Sequence, residues 1–151
     1  MKPKYLYHGT TKKILGKNLL PRKAKDLSKN PKNMHKAVYA TNKKDIAIAM
    51  ALISCKGVNY SSLSFNHKPY GAIYIGWPNQ KYIYLYILPS KTFKKMGGNG
   101  RQYASYKPVK PIAIKTLRVK NYINLIRKTT KKEKTAFFKK RKIKINLKRL
   151  S

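Results

Sequence analysis

Apolar and polar positions alternate in short runs along most of the chain, broken by one helical stretch. Tyr5-Leu6-Tyr7-His8-Gly9-Thr10 sets Tyr5 and Tyr7 on one face and Leu6 and His8 on the other, which predicts a short strand. Ala37-Val38-Tyr39-Ala40-Thr41 predicts a second strand. Ile46, Ala49, Met50 and Ile53 then recur at helical spacing, with Ala47 and Ala51 permitting close packing, and predict a helix over residues 43–53. Thr41 or Asn42 can cap that helix, and Asp45 falls in its first turn near the positive end of the dipole.

Further on, residues 71–76 predict a strand and residues 82–88 the clearest one in the chain. There Tyr82, Tyr84 and Tyr86 share one face and Ile83, Leu85 and Ile87 the other, before Pro89. Trp77-Pro78-Asn79-Gln80 between them reads as a turn, so the two are expected to form a hairpin. Residues 101–106 and 112–119 predict two more strands, and Tyr122, Ile123, Leu125 and Ile126 a helix packed on the sheet. A short helix is expected at residues 10–15, a long basic loop or flap at residues 22–36, and an irregular polar segment at residues 57–69. From Arg127 onward Lys and Arg dominate, around Phe137-Phe138 and an alternation of Ile143, Ile145 and Leu147. The expected organisation is a domain over residues 1–126 and a basic tail over 127–151.

Composition changes this picture in one respect. A chain of 151 residues with 42% hydrophobic residues suits one domain with a modest core. Its charge is extreme, with 37 Lys plus Arg against 3 Asp plus Glu, a formal net charge of +34. So few acids leave the lysines to repel one another, and a polyanion relieves that repulsion. RNA or DNA is the first candidate partner and an anionic membrane surface the second. Cys55 stands alone, and His8, His35 and His67 are scattered, so no disulfide framework and no metal site is expected. No apolar run approaches the ~18 residues of a spanning helix, and the N-terminal stretch lacks a signal-peptide core. The expectation is a soluble, cytoplasmic protein.

The candidate chemistry begins at His8. A histidine on the last residue of a strand, beside bare glycine backbone, is a common way to hold a polar small molecule. A histidine that merely caps a loop is the competing reading. The tyrosine stripe reads as a half-exposed sheet face, with base stacking as its rival. The basic tail reads as a nucleic-acid arm or as a solvated strand with a basic face.

Taken in order, Tyr7-His8-Gly9-Thr10, Leu19-Leu20-Pro21, Val38-Tyr39-Ala40-Thr41 before an alanine-rich helix, Tyr84-Leu85-Tyr86-Ile87-Leu88-Pro89 with Phe93, and Gln102-Tyr103-Ala104-Ser105 before Pro108-Val109-Lys110-Pro111 resemble the ADP-ribosyltransferase superfamily. The likeness is to its diphtheria-toxin-like and poly(ADP-ribose)-polymerase-like branch, and spans residues 5–120. The resemblance implies an α+β single domain with a split antiparallel β-sheet and a few short helices. It implies an NAD cleft in which His8, Tyr39 and Gln102 stand for the His-Tyr-Glu triad. His8 would bond the nicotinamide-side ribose, the Gly9 backbone would hold the carboxamide beside Thr10, and Tyr39 would stack on nicotinamide. Met50 falls where a second stacking aromatic is common. Gln102 departs from the catalytic glutamate: it keeps a hydrogen bond to the ribose but lacks the negative charge. Three readings follow: a slow or substrate-assisted transferase, a pseudoenzyme that binds NAD or ADP-ribose, and a relative of the RNA 2'-phosphotransferases. The last uses His and Arg on phosphate, for which Arg22 and Arg101 are the available arginines. The rival from another class is a non-catalytic RNA- or DNA-binding protein on the same fold.

Overall fold

Strand alternation sets the frame, and a helix without a polar face divides it. A computed structural model describes residues 2–14, 16, 18–22, 36–98 and 100–141. Along the chain come β1 (Tyr5–Thr10), β2 (Val38–Thr41), α1 (Lys44–Ile53), β3 (Val58–Leu63), β4 (Gly71–Gly76), β5 (Tyr82–Pro89), β6 (Phe93–Lys95), β7 (Gln102–Ser105) and β8 (Ala113–Arg118). A 3₁₀ helix (Val119–Leu125), β9 (Ile126–Lys128) and α2 (Lys131–Lys140) follow. The fold is mixed α+β and mostly antiparallel. One sheet has six strands in the order β6-β7-β2-β1-β5-β8, and a second has three in the order β3-β4-β9.

Helix α1 buries Ile46, Ala47, Ile48, Ala49, Ala51 and Leu52, which leaves it little solvent face. It packs with Ile83 and Leu85 of the large sheet and with Ile73 and Ile126 of the small one in one core. A second core lies on the other face of the large sheet, where Leu6, Val38, Ala40, Tyr86, Leu88 and Tyr103 meet Leu19, Phe93 and Val109. α1 crosses β1 so closely that a methyl group at Gly9 would run into the Ala47 carbonyl oxygen. Glycine at position 9 is thus required by the helix above it, before any ligand is considered.

Several expectations need correction. β4 and β5 do not form a hairpin: they lie in different sheets, and residues 77–81 carry the chain from one to the other. Gly76 has φ +91°, and its position turns against the Gly57 carbonyl, so the chain leaves β4 sideways. The polar segment 57–69 contains β3, whose half-buried residues pair with β4. The helix expected around Tyr122 is a 3₁₀ helix of 7 residues. Residues 10–14 are not helical.

The expected boundary between Ile126 and Arg127 falls inside β9, which pairs in parallel with β4. Helix α2 then docks on the outer face of the small sheet. Phe137 stacks on Tyr74 at 3.8 Å, and Phe138 meets Tyr60 edge-on at 5.2 Å. Thr130 and Glu133 form a capping box, and Glu133 also takes Arg127 in a two-pronged bond at 2.9 and 2.6 Å. That guanidinium holds the Glu133 carboxyl down at about 2. Residues 127–141 therefore belong to the folded domain. The flap expected at residues 22–36 falls mostly, and the Ile143/Ile145/Leu147 alternation wholly, outside the described residues.

Candidate functional site

The site forms where two neighbouring strands part. β1 pairs with β5 over its whole length, from Tyr5↔Pro89 to Thr10↔Tyr84. On its other side it pairs with β2 at Tyr7↔Thr41 alone. Continued register would set Gly9 opposite Tyr39. Instead the Tyr39 carbonyl oxygen takes the His8 ring, with Nδ1 at 2.6 Å. The imidazole thus occupies the place of a ladder bond, and β1 and β2 form no register pair from His8 onward.

That bond fixes the tautomer. A carbonyl oxygen only accepts, so Nδ1 carries the hydrogen. His8 is half-buried, with its ring edge-on to Tyr86 at 6.4 Å. Desolvation lowers its pKa below the ordinary 6.5; the bond to Tyr39 opposes the shift and is outweighed, while the charge of Arg22 adds to it. The ring is therefore neutral at pH 7, and Nε2 presents a lone pair. A neutral imidazole held this way accepts a hydrogen bond from a hydroxyl.

Arg22 is brought here by an isolated bridge to Ala37, just before β2, with backbone bonds of 3.0 Å in both directions. Tyr39 is half-buried; burial and then the nearby Tyr106 raise its phenol pKa. Tyr106 itself is exposed and lies two residues past Ala104, the register partner of Tyr39.

Gln102 opens β7 opposite Thr41, which pairs in turn with Tyr7. Gln102, Thr41 and Tyr7 form one row across three strands, on the same pleat as Tyr39. His8 stands one residue along β1, with its ring against Tyr86 on the other pleat. The structure thus joins the His8 ring to the Tyr39 backbone, while the Tyr39 and Gln102 side chains stand on the opposite pleat from His8. His8 is not the last strand residue as expected: β1 runs on through Gly9 to Thr10, because both keep their pairing with β5, opposite Leu85 and Tyr84. Met50 is half-buried on α1 and packs against the core around that helix. Arg101 is fixed beside this row by its carbonyl, which accepts from the Asn42 N–H at 3.4 Å.

One organising residue left no sequence signal. Gln80 spends its whole amide on backbone: Oε1 accepts from Lys56 N–H at 3.0 Å, and Nε2 donates to the carbonyls of Thr11 at 3.0 Å and Tyr82 at 2.7 Å. It ties the end of β1 to the start of β5 and to the turn after α1. A glutamine in a polar turn looks the same in sequence whether or not it does this.

Among the described residues no group of His, Cys, Asp and Glu is arranged to hold a metal ion. No helix among them is long and apolar enough to cross a membrane. Compared with known proteins, the chain matches no family model, no curated protein and no solved structure.

Proposed function

We propose that this chain is an ADP-ribosyltransferase-like protein that binds NAD where β1 and β2 part. The observation that carries this reading is the His8 Nδ1 bond to the Tyr39 carbonyl at the point where the β1–β2 ladder ends. It leaves Nε2 as an acceptor for a ribose hydroxyl and leaves the Gly9 backbone beside it for the nicotinamide carboxamide. The resemblance of the Tyr7-His8-Gly9-Thr10 and Val38-Tyr39-Ala40-Thr41 stretches supplies the remaining roles. Tyr39 flanks the nicotinamide, Met50 stands on the helix side, and Gln102 bonds the ribose.

In the reaction the bond between the ribose anomeric carbon and nicotinamide breaks, and nicotinamide leaves with the electron pair. An acceptor oxygen or nitrogen attacks the resulting cationic sugar and gives up its proton. Gln102 faces that cation as a neutral amide. Losing the carboxylate forfeits on the order of 10²–10³ in rate. The chain is accordingly a slow transferase or a binder of NAD, and its +34 charge favours a nucleic acid as acceptor or docking partner.

Calorimetric titration of NAD into the wild type and His8→Ala tests this, at salt high enough to suppress diffuse phosphate binding. ADP-ribose and ATP serve as anion controls. Saturable NAD binding that His8→Ala removes is expected. Binding equal to that of ATP and indifferent to His8 would overturn the proposal. In the same assay series Gln102→Glu is expected to raise NAD turnover by about 10²-fold or more.

The position of Arg22 supports a second reading, a relative of the RNA 2'-phosphotransferases in which His8 and Arg22 hold a phosphate. An oligonucleotide carrying a 2'-phosphate that is lost only when NAD is supplied would select it.

A further inference from the structure

A groove of about 280 Å³ lies on the large sheet at the end where β1 finishes, lined by Pro78, Gln80, Lys81, Arg118, Lys120 and Ile123. Three of these are cations, and all three are exposed. The ion pairs among the described residues join Asp45 to Lys68 and Glu133 to Arg127, so both described carboxylates are engaged elsewhere. The walls are built rather than loose. Val119 N–H donates to the Lys81 carbonyl at 3.0 Å and joins one wall to the other. Gln80 is fixed by its three backbone bonds. Tyr82, an exposed residue, is tied to two of the lining cations: Lys81 Nζ lies 5.5 Å from its ring centroid, and Arg118 is its register partner on β8.

We infer that this groove is a docking site for single-stranded nucleic acid. Lys81, Arg118 and Lys120 take successive phosphates, a base stacks on Tyr82, and Pro78 and Ile123 supply the apolar floor. Cations interleaved with an aromatic face are what a flexible strand requires. A concave groove suits a strand that can enter it, whereas a bilayer surface would meet only the rim. The inference does not rest on NAD binding. It goes beyond that reading by giving the polyanion a place away from His8, joined to β1 through the Gln80 bond to Thr11.

The test is fluorescence anisotropy of labelled dT and U twelve-mers with the full chain over a range of salt. Lys81→Gln/Arg118→Gln/Lys120→Gln is compared with a charge-matched triple on α2, Lys131→Gln/Lys132→Gln/Lys140→Gln. The groove triple is expected to weaken binding at least tenfold more than the α2 triple and to make the salt slope shallower by about 2, three phosphates at ~0.7 each. Tyr82→Ala is expected to cost about tenfold by itself. Equal losses in the two triples would overturn the site, as would groove-dependent binding to phosphatidylserine vesicles without binding to either oligonucleotide. Should the groove triple fail to fold, cross-linking of a 4-thiouridine strand to the wild type decides. Adducts on residues 80–82 and 118–123 support the groove, and adducts confined to residues 142–151 exclude it. NAD titration of the groove triple separates the two proposals, because NAD binding is expected to be unchanged in it.

Discussion

At the scale of single residues, two neighbours on β1 answer to different constraints. Gly9 lies under the Ala47 carbonyl, and helix and strand have no room to part without opening the core around Ala51. Gly9→Ala is therefore expected to destabilise the fold by about 3 kcal/mol, at the upper end of ordinary overpacking. A urea titration reads this directly, and a midpoint within error of the wild type would contradict the crossing geometry. His8 is held neutral, with its folded-state pKa below the unfolded value of 6.5. Where pH lies between the two values the unfolded chain binds the extra proton. The stabilisation is thus complete above pH 6.5 and is lost as pH falls through the depressed folded value. Urea midpoints between pH 7.5 and 5 are expected to drop in the wild type and to drop less in His8→Gln. The strand was legible in Tyr5-Leu6-Tyr7-His8-Gly9-Thr10; the neutral state of His8 was not, because the carbonyl that fixes its ring lies 31 residues on, at Tyr39. The reason for the glycine was not, because its constraint comes from a helix nearly forty residues later.

At the scale of elements, legibility followed burial. β1, β2, β5 and α1 carry dense apolar patterns and lie where their periodicities set them. β3 is written as Val58-Asn59-Tyr60-Ser61-Ser62-Leu63, and its half-buried serines imitate a loop. The supposed hairpin failed because local sequence encodes a turn without encoding which sheet the next strand joins. The segment after Arg127 was obscured by its own lysines. Their heads remain in solvent while Phe137 and Phe138 are buried, and only contact with Tyr60 and Tyr74 shows that the helix docks. Phe137→Ala is expected to cost about 3 kcal/mol or more, as removal of a buried aromatic does. If α2 were a solvated tail, the same substitution would leave the thermal midpoint where it was.

At the scale of the whole molecule, charge sets the terms. With 37 Lys plus Arg against 3 Asp plus Glu, a net +34 remains even when every acid is counted against a cation. Self-repulsion of this size works against compactness and is screened by salt within a Debye length of ~10 Å at 0.1 M. Raising sodium chloride from 10 to 300 mM is expected to raise the melting temperature. A melting temperature that fell or stood still would mean that the repulsion is already relieved in the unpartnered chain. A nucleic acid should produce the same rise at far lower concentration, because it delivers its phosphates already linked.

The parallel pairing of β4 with β9 has a consequence for how the chain is made. Thr129 donates to Ile73 from 56 residues away, through both its N–H and its hydroxyl at 3.1 Å. During synthesis β4 leaves the ribosome long before its partner exists. For that interval one edge of the small sheet is unpaired, and Tyr60 and Tyr74 stand uncovered beside it. The segment that carries β9 and α2 acts as a late clasp. A nascent chain halted before Ile126 should be sticky in a way the finished protein is not, and a nonsense mutation there should yield aggregates rather than a shortened working domain.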